Sequence, residues 1–238
     1  MNSLNSFIRE AVAQVPQVKP LLSSKARYIL ACAPIEYKTY DYYLNQLNGL
    51  VRGVYENNLG GDFITIMANL ISGQLTQAYQ QAFEEQGFTD FVLPEYLSSS
   101  LEAMILGQYD HVDKFFRDIV DARIDETPIA PLLVRAQLWA QRWTEAYNEA
   151  VRLITVNSGG NLEWIYAPEK EHCPECESLN GIVMWASEWD LIGVKPQNAP
   201  NSALTCGGWK CGCALVPTDK RRSPNAYGRV EEIILSKK

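Results

Sequence analysis

The sequence predicts an α+β protein: a mostly α-helical N-terminal region followed by a small β-rich, cysteine-bearing module. Three observations predict it. Apolar residues recur at steps of three and four through the first 157 positions. The run Asn157-Ser158-Gly159-Gly160 then breaks that pattern. Beyond it, five of the six cysteines crowd into the 41 positions from 173 to 213, among short strand-like segments.

The helices can be justified in order. Leu44, Leu47, Leu50, Val51, Val54 and Tyr55 fall at helical spacing. Asp62 can cap a second helix that runs to about Glu85 and stops at Gly87. Its apolar set includes Phe63, Ile66, Met67, Leu70, Ile71, Leu75, Ala78, Tyr79 and Phe83. Pro94 opens a third, whose apolar positions continue through Leu101, Ile105, Tyr109, Val112, Phe115, Phe116, Ile119 and Val120. Thr127-Pro128 interrupts it. The clearest helix runs from Pro131 to about Thr155. Leu132, Ala136, Trp139, Trp143, Tyr147, Ala150 and Ile154 draw one stripe along it. That stripe suits a core face or a subunit contact.

Three strands follow, at 162–166, 181–185 and 213–216. The chain therefore divides into a helical region (1–157), a cysteine-rich module (158–219) and a basic C-terminal tail (220–238).

Composition limits the function. Of 238 residues, 47% are hydrophobic, which suits a folded protein. No apolar run approaches the ~18 residues of a membrane-spanning helix, and the first residues do not read as a secretory signal. The formal net charge is −7, a poor match for broad nucleic-acid binding. The tight basic cluster is Lys220-Arg221-Arg222. It reads as a solvated tail, with a weak DNA contact as the alternative.

The cysteines carry the chemistry. Cys173 and Cys176 form a C-x-x-C pair in which two intervening residues let a turn aim both sulfurs at one ion. Cys206, Cys211 and Cys213 follow, with Gly207 and Gly208 permitting a second tight turn. Two half-sites at this spacing predict a structural Zn²⁺ held by Cys173, Cys176, Cys206 and Cys211, with Cys213 as the alternative ligand. Disulfides fit a cytosolic chain less well. A redox C-x-x-C belongs in a βαβ setting, whereas Asn180-Gly181 and a strand follow here. A four-thiolate site leaves no position open for substrate or activated water, so the metal is expected to be structural. His172 and Lys210 are the nearest groups to offset its charge of −2.

No catalytic residue is nominated. Phosphate-loop, dinucleotide and H-E-x-x-H motifs are absent from the sequence. His111 reads as a surface residue and Cys32 as a small buried hydrophobe. The chain is therefore not expected to be an enzyme.

The order of these motifs resembles a known family. The run H-C-P-E-C-E-S-L-N-G-I-V, a spacer with Pro196 and Pro200, then C-G-G-W-K-C-G-C-A-L-V-P resembles the C-terminal domain of the phage head morphogenesis, Mu F-like minor head proteins. Leu179-Asn180-Gly181 supplies the family's middle element, and Cys211-Gly212-Cys213 its final C-x-C. About 50 of the 238 residues carry the likeness. Two positions depart from the pattern. Gly208 stands where the family has histidine, with Cys206 taking over as ligand, and Gly212 stands where it has arginine. The resemblance implies a minor head protein of a tailed phage, present in few copies. Its partners would be portal and capsid or scaffold proteins. Its place would be the procapsid or head interior, with the host cytoplasm as its site of assembly. Trp185, Trp189 and Trp209 would then line a docking surface or cover the metal site. A zinc-ribbon-like nucleic-acid-binding protein is the alternative, with Lys210 and Lys220 to Arg222 making the contacts.

Overall fold

The computed structural model describes residues 38–57, 59, 62–88, 92–166, 173–208 and 211–235. Cys32, His172, Trp209 and Lys210 lie outside the described residues. The α+β expectation holds. Four long helices come first: α1 (Tyr40–Tyr55), α2 (Phe63–Glu85), α3 (Glu95–Ile124) and α4 (Ala130–Ser158). Then come β1 (Asn161–Ile165), α5 (Pro174–Leu179), β2 (Val183–Trp185), α6 (Ala186–Ile192), β3 (Ala214–Thr218) and α7 (Ala226–Leu235).

The chain forms two compact units, divided between Ala146 and Tyr147. The expected boundary followed Asn157. The division falls inside α4 because an unbroken helix can give its two halves to separate cores. The glycine break still ends the helix, with Gly159 in the left-handed region at φ +69°.

In the first unit, Thr39 caps α1 by accepting the Tyr42 N–H on Oγ1 at 3.2 Å. Tyr43, Leu47, Leu50, Val51 and Val54 form the buried face of α1. Asp62 sits at the N-cap of α2, but its side chain makes no cap hydrogen bond. Helix α2 is buried on more than one face: Phe63, Met67, Ile71, Leu75 and Tyr79 are joined by Ser72, Gln74 and Gln80. Gln74 resolves its burial by donating Nε2 to the Ala140 carbonyl. Helix α3 contributes Leu97, Leu101, Ile105, Val112, Phe115 and Ile119 at the predicted spacing.

Helix α4 refines the predicted stripe. Ala136, Ala140, Ala146 and Ala150 are fully buried. Trp139, Trp143 and Tyr147 are only half-buried. Small side chains let the helix backbone approach its neighbours, which leaves the wide rings at the edges of the contact.

In the second unit, β1 is the centre of a three-stranded antiparallel sheet in the order β2-β1-β3. The register pairs Leu162 with Met184 on one side and with Pro217 on the other. Leu162 and Trp164 therefore share one face, and both are fully buried in a core with Leu179, Ile182, Met184, Trp189 and Leu215. The Trp164 and Trp189 rings lie 5.7 Å apart. Trp189 spends its indole N–H on the Leu162 carbonyl at 3.1 Å, which satisfies its one polar atom. Trp185 is 47% exposed. Of the tryptophans expected to line a docking surface or cover the metal site, Trp189 therefore belongs to the core and Trp185 to the surface.

Residues 220–235 are not a solvated tail. Helix α7 places Ala226 and Val230 in the module's core. Ahead of it, Ser223 closes the outer edge of β2, donating its N–H to the Val183 carbonyl and accepting the Val183 N–H on Oγ. The basic cluster is also largely engaged. Lys220 pairs with Glu163 at 2.8 Å, and Arg222 with Glu188.

Candidate metal centre

Three segments deliver the cysteines. The C-x-x-C pair sits on a helix start rather than in a hairpin turn. Cys173 is the N-cap of α5, Pro174 is its first residue, and Cys176 follows in the first turn. Residues three apart on a helix share a face, and the two sulfurs lie 3.1 Å apart. The helix ends at Leu179-Asn180-Gly181. Gly181 takes φ +78° there, and its N–H donates to the Trp164 carbonyl at 2.8 Å, which leads the chain into β2.

Cys206 arrives on the turn before Gly207 and Gly208, which adopt φ +62° and +79°. A Cβ on Gly208 would lie 2.7 Å from the Asn198 carbonyl oxygen, so this turn needs glycine for space as well as for conformation. Cys206 Sγ lies 3.8 Å from Cys173 Sγ. Cys211 and Cys213 come from the extended segment that enters β3.

The five sulfurs converge as two trios. Cys173, Cys176 and Cys206 form one; Cys176, Cys211 and Cys213 form the other. Within each trio all sulfurs lie within 4.8 Å of one another. Cys176, 1% exposed, belongs to both. A Zn–S bond of ~2.3 Å gives a tetrahedral edge of ~3.8 Å, and the Cys173–Cys206 separation matches it. The donor set therefore fits a thiophilic metal ion. Cys206 and Cys211, both expected as ligands, stand in different trios, and Cys213 stands with Cys211.

The electrostatics favour a cation. Cys176 is pushed far up, first by its hydrogen bonds to Cys211 and Cys213 and then by burial. Cys211 is held low because Cys176 and Cys213 donate to it. Cys206 is raised, chiefly by burial. Without metal, Cys176 and Cys206 thus resist ionisation while Cys211 favours it. A cation removes that resistance, so metal uptake must release protons.

Donors already surround the sulfurs. The Gly208 N–H faces Cys206, and the Gln197 and Cys213 N–H groups face Cys211. Trp164 Nε1 is buried without a hydrogen-bond partner, yet lies close enough to Cys213 to favour its thiolate. Gln197 also donates Nε2 to the Cys213 carbonyl at 2.9 Å and accepts from Asn148 of α4 at 3.0 Å.

Glu175, between the paired cysteines, was not singled out by the sequence. It accepts the Thr205 N–H at 3.0 Å and the Thr205 hydroxyl at 2.8 Å. Burial alone would raise its carboxyl, but the two Thr205 bonds outweigh burial and hold it at about 2. Thr205 precedes Cys206, so this clamp ties one cysteine segment to the other. Glu175→Gln keeps the shape but removes the charge and turns one acceptor into a donor. It is expected to cost about 1.5–3 kcal/mol in urea unfolding of the metal-loaded chain. A midpoint equal to that of the unsubstituted chain would mean that the clamp contributes nothing.

His111 is exposed on α3. Compared with known protein families, curated proteins and solved structures, the chain matches none.

Proposed function

We propose that the cysteine centre holds one structural Zn²⁺ and that the chain is a minor head protein acting in phage head morphogenesis. The observation that carries this reading is convergence. The C-P-E-C pair, the Leu179-Asn180-Gly181 turn and the C-G-C entering β3 are the three elements of the family resemblance, and they meet at one sulfur cluster beside one small sheet. Four of the five thiolates saturate a tetrahedral ion, which leaves no open position for chemistry. What bound zinc supplies is a cross-link between segments that share little secondary structure. In this reading Cys173, Cys176, Cys206 and Cys211 hold the ion, with Cys213 as the exchange candidate.

The long helices then serve assembly, contacting portal and capsid or scaffold proteins in the procapsid or head interior. The protein is carried in few copies. A DNA contact through Lys220 to Arg222 has less support, because Glu163 and Glu188 already engage Lys220 and Arg222. The test has two parts. Metal analysis of the purified chain is expected to give one zinc per chain. Mass spectrometry of purified particles is expected to find the protein in procapsids or virions. Absence from both would overturn the assembly role, and a zinc content near zero with all thiols titratable would overturn the metal assignment.

A further inference from the structure

A tetrahedral zinc leaves one of the five sulfurs over, yet none of the five stands apart. Cys206 faces the Gly208 N–H, Cys211 faces the Gln197 and Cys213 N–H groups, and Cys213 faces the orphan indole N–H of Trp164. N–H donors of this kind are the usual hydrogen-bond partners of metal-bound sulfur. Cys173 lies against Cys176 and Cys206. Cys176 differs from the rest. Its strongest neighbours are three other sulfurs, and it alone belongs to both trios. A thiolate shared by two metal ions gives up charge to both, and so has least need of N–H donors.

We propose that the five thiols form a binuclear centre for soft, three-coordinate monovalent ions such as Cu(I), with Cys176 as the bridging thiolate. Cys173 and Cys206 complete one trigonal site, and Cys211 and Cys213 complete the other. The inference rests on the reading that these cysteines bind metal, and it adds a second ion. The arithmetic separates the two metals. Five sulfurs with one shared provide six metal–sulfur bonds. Two trigonal ions need six, whereas two tetrahedral zinc ions need eight. The same centre therefore takes one Zn²⁺ but two Cu(I). Thiolate softness supplies the selectivity.

The experiment is an anaerobic titration of the reduced full chain with Cu(I), beside a titration with Zn²⁺. The expected result is two Cu(I) per chain against one Zn²⁺. X-ray absorption of the copper form should then contain a short Cu···Cu path and sulfur-only coordination. One Cu(I) per chain without that path, while zinc still binds at one, would overturn the binuclear centre and leave the zinc reading intact. Failure of both metals to bind would overturn both readings. Cys213→Ser is expected to lower the copper count from two to one. Retention of two Cu(I) in that variant would also overturn the assignment.

Discussion

Replacing Cys176 with serine is expected to abolish metal binding and to unfold the C-terminal unit while the helical unit stays folded. Cys176 is the one sulfur common to both trios, so its loss leaves no complete trio behind. It also packs in the module's core beside Leu179, Ile182 and Trp189. Between α6 and β3 the described residues form only turns and extended chain, and these bring in three of the five cysteines. Apparent binding energies of structural zinc reach about 10–16 kcal/mol at neutral pH. The whole stability of a small domain is about 5–15 kcal/mol. Loss of the metal can therefore remove all the stability of this unit. Near-ultraviolet circular dichroism from the buried Trp164 and Trp189 should collapse, while much of the far-ultraviolet helical signal of α1, α2 and α3 persists. A chelator should bring the unsubstituted chain to the same state. Stoichiometric zinc and an unchanged melting curve in the variant would place the ion on the other four sulfurs.

The four long helices were legible because each carries its own periodic signal. On α3 the pattern marks Leu101, Ile105, Val112, Phe115 and Ile119, which are buried, together with Tyr109, Phe116 and Val120, which are only half-buried, and Gly87 and Gly159 mark real helix ends at φ +86° and +69°. Burial within α4 was less legible. Helical spacing puts an alanine and a tryptophan on the same stripe, but only the three-dimensional neighbour decides which of them lies at the point of closest approach. The cysteine spacing announced a cluster able to hold a metal ion, and the glycines announced the turn at Cys206. The sharing of Cys176 was not legible, since it depends on how α5 meets two segments, at Cys206 and at Cys211 to Cys213, that both follow β2 in sequence. The clamp of Glu175 on Thr205 spans 30 positions and has no local signature. The same holds for Lys220 and Arg222, which looked like a solvated tail until their acidic partners were placed beside them.

Arg152→Met is the substitution outside the cysteine centre with the largest expected effect. Arg152 is 5% exposed, unusually low for a guanidinium. Glu149, three residues earlier on α4, accepts from Nε at 2.9 Å and from Nη2 at 2.5 Å, a bidentate fork. Nη1 meets Asp190 of α6 at 2.5 Å. Burial opposes the charge, but the bonds and charges of Glu149 and Asp190 outweigh it and raise the guanidinium above its ordinary value. Methionine would fill much of the volume while leaving two carboxylates facing each other across the space. Lys195 could offset part of this, since its Nζ already lies 3.3 Å from Asp190 and 3.7 Å from Glu149. Removing one partner of a buried ion pair costs about 3–5 kcal/mol, and partial rescue by Lys195 sets the expectation at the lower end of that range. Lys195→Met in the same background should add a further loss, whereas Lys195→Met alone should cost little, because its ammonium is then dispensable. Equilibrium unfolding of the four metal-loaded chains measures the coupling directly. Strict additivity would mean that Lys195 does not share the network, and a loss below about 1 kcal/mol for Arg152→Met would place the anchor between α4 and α6 in the apolar packing instead.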